Sequence, residues 1–305
     1  MLGIVEQGLI YGLLSLGLLI SYRILDFPDL TVDASFPLGA AVSAVLTVKG
    51  VPPAATLPAA MLAGALAGAV TGLIHVKGHV RDLLASIITM TALYSVNLFI
   101  AGLSSYVPGQ KLSQVAGKAS VPLFSGETLF KNAFLKAAPA WLSPYTTALT
   151  LLALALMMKC LIDWFLRTKA GFLLVAAGDN PALVETLGKS VGGVKIEGLM
   201  IANALVALSG AVLCQQQRNF DISMGTGAMV MGLASVIIGL NLFGRLPRVK
   251  MTTAAVLGAI VYKACVSLAM RLGLSAFWLK GVTAALFLCV LVLSRFKKGK
   301  AAKDA

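Results

Sequence analysis

Short basic turns cut the chain into apolar runs, and eight of the runs are long enough to cross a lipid bilayer. They lie at 6–22, 52–75, 83–103, 145–166, 194–215, 225–243, 250–270 and 276–294, and a shorter run at 34–48 makes a ninth segment. About 20 apolar residues make one helical crossing. A backbone inside lipid must satisfy its own hydrogen bonds, so helices of this length leave little choice of fold. The expectation is an all-α polytopic membrane protein of about nine hydrophobic segments forming one membrane domain over 1–305. Only 12% of residues are charged against 58% hydrophobic, about half the charge of a soluble domain. That leaves no stretch able to fold as a second, wetted domain.

The net charge of +13 does not read as nucleic-acid binding, because the bases are scattered through short loops and share no face. It reads as orientation. With the tail "SRFKKGKAAKDA" placed in the cytoplasm, fifteen Lys and Arg fall on the cytoplasmic side and eight on the other. The topology expected is N-terminus out, C-terminus in, with the long loop 104–144 outside. The first apolar run lacks a basic leader and a small-residue cleavage motif, so it reads as a retained helix. Cys160, Cys214, Cys265 and Cys289 stand singly in apolar runs and read as packing residues. His75 and His79 flank a turn without a third ligand nearby, and no metal site is expected.

A polar phrase occurs twice. Asp29-Leu30-Thr31-Val32 follows the first span, and Asp221-Ile222-Ser223-Met224 follows the span at 194–215. Five segments separate them, so the copies run in opposite directions, as in an inverted-topology repeat. The repeats are placed at about 6–103 and 194–294, with a basic tail at 295–305. A rival register aligns Asp33 and Ser35 with Asp221 and Ser223. An acid and polar backbone inside lipid must face protein or a cavity. Two such phrases, each before a short apolar helix, imply broken helices meeting near the midplane, with Asp29 and Asp221 accepting backbone N–H bonds and Thr31 and Ser223 assisting.

The phrase "FDISMGTGAM" resembles the D-L-S-x-G-S motif of ribose-type ABC importer permeases. "GLIYGLLSLGLLISYRILDFPDLTVDASFPLGAAV" resembles the opening of branched-chain amino acid permeases, and "AAGDNPALVETLGKSVGGVKIEGLMIANALVALSGAVL" the loop and helix that both groups share. "FPDLTVDASFPLGAA" with "SIITMTALYSVNLFIAG" looks like the branch often labelled tryptophan/tyrosine permeases. The resemblance implies an importer subunit that works as a dimer of permeases, with separate ATPase subunits and an extracytoplasmic binding protein. ATP and Mg²⁺ would be held by the ATPase and no cofactor by this chain.

The segment "GDNPALVETLGKS" has its own helix grammar. Asp179 or Asn180 suits the N-cap, Pro181 the first position, and Gly188 the residue after the C-cap, with Glu185 inside. By resemblance it is the coupling helix that docks on an ATPase. "GKS" at 188–190 lacks the upstream glycine and strand of a phosphate loop, so ATP hydrolysis belongs elsewhere.

Four further readings complete the set. Gly64, Gly68 and Gly72 lie on one helix face, where backbones approach closely, either within the chain or at a dimer seam. Lys263 is a base deep within a span and needs a partner: Asp33, Asp221 or a substrate carboxylate, unless it snorkels outward. Thr89, Tyr94 and Asn97, on the 83–103 span, are candidates to line the translocation path with Asp33. Leu129, Phe130, Ala133, Phe134 and Ala137 form an apolar stripe suited to a helix on the outer surface. A stand-alone secondary transporter with inverted repeats is the rival class. No catalytic constellation appears.

Overall fold

The computed structural model describes residues 2–106, 115–123, 127–130, 145–244, 246, 249–271, 281, 283–285 and 288. Most of the run at 276–294, the tail at 295–305, the outer stripe beyond Phe130, and much of the loop 104–144 lie outside the described residues. Ten helices are described: α1 (Leu2–Leu18), α2 (Val32–Val48), α3 (Pro53–Val76), α4 (Asp82–Gly102), α5 (Thr146–Phe165), α6 (Lys169–Asp179), α7 (Pro181–Thr186), α8 (Val191–Gln217), α9 (Ala228–Phe243) and α10 (Met251–Arg271). Among the described residues, seven helical segments are long and apolar enough to cross a membrane, and α2 is a shorter apolar helix. The chain is therefore an all-α, multi-pass membrane protein.

Two long helices form the centre. Residues 8–18 of α1 are buried without interruption, as are 202–215 of α8. A helix buried all round belongs inside a bundle rather than at its rim. The two are antiparallel: Gly17 sits against Ala202 and Val206, and Ser209 donates to the Ile10 carbonyl at 2.7 Å. Each central helix then takes the third helix of the other half. Along α3 and α8, Gly64, Gly68 and Gly72 meet Asn203, Leu199 and Ile196 in descending order, while Gly8 and Gly12 of α1 meet Ile260 and Val256 of α10. The halves thus interlock and run in opposite senses.

The glycine ladder of α3 is an intramolecular seam. A Cβ at Gly64 or Gly68 would stand 2.3 Å from the Asn203 carbonyl or 2.2 Å from that of Leu199, so only glycine permits this helix spacing.

α1 does not simply stop. Its last turns widen into a π-helix at Leu19–Ile24, where the Leu25 N–H bonds the Ile20 carbonyl at 2.9 Å. The chain turns back through 25–31, and α2 begins beside Asn203, the thirteenth of the 27 residues of α8. From there α2 runs antiparallel to α3, with Thr31 beside Thr71 and Ser43 beside Thr56. It is a helix that starts halfway through the bundle.

One feature falls outside the helical expectation. Ser120–Pro122 of the loop 104–144 pairs antiparallel with Asn219–Asp221, in the register Ser120↔Asp221 and Pro122↔Asn219. Three-residue strands carry too little periodicity to be read from sequence.

Candidate functional site

The site is built where the two interrupted helices begin. In the first half, the fully buried Asp29 accepts the Thr31 N–H on Oδ1 at 2.9 Å and the Asn203 Nδ2 on Oδ2 at 2.7 Å. Thr31 Oγ1 shares a 2.9 Å bond with Thr71 Oγ1. One carboxylate and one hydroxyl therefore tie the start of α2 to α8 and α3. In the second half, Asp221 Oδ1 accepts the Ser223 N–H at 2.8 Å and the Ser223 hydroxyl at 2.5 Å. The same acid-to-i+2 turn thus opens both phrases, which matches Asp29 with Asp221 and Thr31 with Ser223. The two differ in setting: Asp29 is sealed in protein and the Ser223–Asp221 turn is exposed.

The N-terminus of α9 is held by a residue of the other half. Asp33, in the first turn of α2, accepts the Met229 N–H at 2.7 Å on Oδ1 and the Gly227 N–H at 3.2 Å on Oδ2. It does for α9 what an N-cap side chain does locally, satisfying donors with no intrahelical partner and placing negative charge at the positive end of the dipole. Gly227 takes a left-handed φ of 83° to present that N–H. Pro37 lacks an N–H and so leaves the Asp33 carbonyl without its helical donor. The 3₁₀ turn Ile222–Gly225 packs onto this carbonyl, where a Cβ at Gly225 would stand 2.0 Å away.

Beside this junction lies a cleft of about 460 Å³, lined by Asp33, Pro37, Met90, Tyr94, Asn97 and Ser223 among others. Asn97 is buried, and its Nδ2 donates to the Ala34 carbonyl at 3.0 Å. Of the residues expected along a path, Asp33, Tyr94, Asn97 and Ser223 share this cleft. Thr89 does not; it lines a separate, apolar groove between α3 and α4 and bonds the Ala85 carbonyl.

Lys263 also stands apart. Its Nζ lies 3.7 Å from the centroid of the Tyr11 ring, a cation–π contact, in a second cleft of about 470 Å³ with Gln7, Gln217 and Ser267. The expected pairing with Asp33 or Asp221 is not made. The described ion pairs join Asp163 to Lys159 and Lys250 instead. Among the described residues no group of three or more metal-ligating side chains occurs. His75 Nδ1 bonds the Val80 carbonyl across its turn.

The segment 179–188 folds largely as its sequence implies. Pro181 opens α7, Asn180 occupies the N-cap position, and Gly188 follows the C-cap with a φ of 70°. The Asn180 side chain makes no capping bond, and Asp179 ends α6 rather than starting α7. Val184 is the buried residue of α7, while Leu183, Glu185 and Leu187 are exposed. α6 carries this helix against the core: Gly178 faces the Ile24 carbonyl so closely that a Cβ would stand 1.9 Å from it.

Sequence reasoning passed over Asn203 and Gln215. Both are buried amides in a long apolar helix, and a polar side chain inside a span is itself the signal. Gln215 Nε2 bonds Ser43, Thr56 and the Pro53 carbonyl within 3.1 Å, and its Oε1 accepts the Leu129 N–H.

A bundle of span-length helices around two interrupted ones, with polar junctions inside, defines a multi-pass membrane protein of the permease class. The family model for the branched-chain amino acid transport system permease component matches residues 1–293, and the chain belongs to that family. It is 37% identical over 290 residues to the tyrosine transport system permease protein of Clostridioides difficile, covering 95% of this chain and 90% of that one. An uncharacterized protein of Rickettsia prowazekii is 32% identical over 279 residues, covering 90% of each. A probable branched-chain amino acid transport permease of Methanocaldococcus jannaschii is 25% identical over 247 residues, 78% of this chain and 74% of that one.

Proposed function

We propose that this chain is the membrane-spanning subunit of an ATP-driven ABC importer in the bacterial cytoplasmic membrane. In this reading two copies form the path, and an extracytoplasmic binding protein delivers the solute. ATP and Mg²⁺ are bound and hydrolysed on separate ATPase subunits. The N-terminus lies outside and the C-terminus inside. The solute is an amino acid, the class named for the relatives at 37% and 25% identity.

The observation that carries the reading is the placement of α7. It is a short surface helix whose flank, at Gly178, presses on the π-helical end of α1. That end leads within a few residues to Asp29 and the start of α2. A push on α7 by a nucleotide-driven partner has a packed route to the interrupted helices. Close-packed interiors transmit such displacements rather than absorbing them.

The test is assembly and stimulation. Co-expressed with its cognate ATPase and binding protein, the chain should co-purify with the ATPase and couple its hydrolysis to the loaded binding protein. Glu185→Arg reverses the charge of an exposed α7 residue. Gly188→Pro forces φ near −65° on a residue at 70°. Both should abolish the stimulation while the permease remains folded and dimeric. Full stimulation in both variants would remove α7 from the coupling role.

A further inference from the structure

We propose that the cleft beside Lys263 binds the oxyanion of an amphipathic ligand, either the carboxylate of a small organic acid or the phosphate of a lipid headgroup. Lys263 supplies the opposite charge, and Gln7, Gln217 and Ser267 supply further donors.

Lys263 is a charge without a counter-charge. It is the thirteenth of the 21 residues of α10, and a base at that depth in a span calls for a partner. Its Nζ makes no ion pair or hydrogen bond with a described residue. The Tyr11 face 3.7 Å away attracts a cation but carries no net charge. Glu6, the acid nearest on α1, is taken up elsewhere: its Oε2 accepts the Gln216 Nε2 at 3.1 Å. Nor does the lysine snorkel. A side chain seeking the membrane surface would follow α10 toward Arg271. This one lies over the ring of a residue about 13 Å inside the start of α1 at the helical rise.

The cleft around this ammonium is built from donors. Gln7 lies one turn before Tyr11 on α1, Ser267 one turn after Lys263 on α10, and Gln217 ends α8. All three line the same space of about 470 Å³, and none of their side chains hydrogen-bonds to a described residue. Gln7 and Gln217 are exposed. Neither the Lys263 Nζ nor the Ser267 Oγ is among the sealed, unpartnered atoms, so both keep surface open to the cleft. The described lining holds one base and no acid. An anion seated there gains a charge-assisted bond from Lys263, with amide and hydroxyl donors beside it. A cation would meet Lys263 with nothing to offset it.

The walls select the kind of anion. Ile4, Leu213, Val266 and Met270 line the remainder, so the site suits a ligand with apolar mass beside its charge rather than a bare inorganic ion. The Tyr11 ring stacks on Phe36 of α2, with centroids 6.2 Å apart. A ligand at Tyr11 is therefore two rings from the interrupted helix that carries Asp33.

The experiment uses the full chain in dodecyl maltoside, an uncharged detergent without phosphate. The native cysteines are replaced, and Met270→Cys reports from the cleft lining, where residue 270 is 43% exposed. Labelling by uncharged N-ethylmaleimide is timed against hydrocinnamate and phenethylamine, which share a skeleton but carry a carboxylate or an ammonium. It is also timed against phosphatidylglycerol and a diacylglycerol of the same chains, which lacks the phosphate. Saturable slowing by hydrocinnamate but not phenethylamine assigns the site to free carboxylates. Slowing by phosphatidylglycerol but not diacylglycerol, with hydrocinnamate inert, assigns it to a lipid headgroup. With either ligand, Lys263→Met should raise the half-protecting concentration about tenfold or more, the scale of one charge-assisted hydrogen bond, and Lys263→Arg should retain protection. Gln7→Leu, on the facing helix, should weaken protection several-fold and gives a second reading if Lys263→Met does not fold. Equal protection by the charged and control compounds, or protection by none, overturns the site. So does unchanged protection in folded Lys263→Met or in Gln7→Leu. No ATPase is present, so these outcomes are separate from the importer reading, which stands or falls on stimulated hydrolysis.

Discussion

Asp33 Oδ1 accepts the backbone N–H of Met229 at 2.7 Å, across 196 residues of sequence. One carboxylate from the start of α2 therefore sits at the positive end of α9, far away in the sequence. Removal of a capping side chain costs about 0.5–2 kcal/mol. Asp33→Leu, which removes every acceptor, should lower the thermal unfolding temperature of the purified permease and suppress transport. Asp33→Asn retains a carbonyl oxygen and should retain most of the stability. Equal, large losses in unfolding temperature for both would show that charge rather than capping holds this junction.

Asp29 and Asn203 should behave as a coupled pair. Both are fully buried, and their 2.7 Å bond joins the segment leading into α2 to the midpoint of α8. Truncating one partner strands the other, at about 1–3 kcal/mol or more for a charged group. Asp29→Leu and Asn203→Leu should each destabilise severely, and the double variant by much less than their sum. A double-mutant cycle on unfolding free energies measures this directly. Additive losses would mean the bond contributes nothing.

Gly68→Val should prevent proper folding rather than dissociate a dimer. The added side chain meets the Leu199 carbonyl and the Met200 Cα within the same chain. Overpacking of this kind costs about 1–3 kcal/mol and more when backbone is struck. Reduced yield and a lower unfolding temperature are expected. A well-folded monomer that has only lost self-association would place the ladder at a subunit seam instead.

The interrupted helices were legible because a polar phrase has nowhere to hide in a chain so poor in charge. The turn from Asp29 to Thr31 and its counterpart from Asp221 to Ser223 follow from residue type and spacing alone. The grip of Asp33 on α9 was not legible. Its partners are backbone N–H groups, which every residue but proline carries, so no side chain at 227 or 229 advertises the contact. Lys263 illustrates the opposite error. Its burial demands compensation, but the face of Tyr11 provides contact where a carboxylate was sought. Thr89 was separated from Tyr94 and Asn97 by helix rotation, which the broad polar distribution on α4 did not resolve. The strand register of Ser120 with Asp221 depends on a loop path that carries no periodic signal.

The central claim is that partner-driven ATP hydrolysis moves solute through this chain. The direct measurement is uptake of a radiolabelled amino acid into proteoliposomes containing the permease, its ATPase and the loaded binding protein. Accumulation should require ATP on the ATPase side, survive collapse of proton and sodium gradients, and disappear with Glu185→Arg or Gly188→Pro. Accumulation by the permease alone, driven by an imposed proton or sodium gradient and indifferent to ATP, would contradict the account and make the chain a secondary transporter.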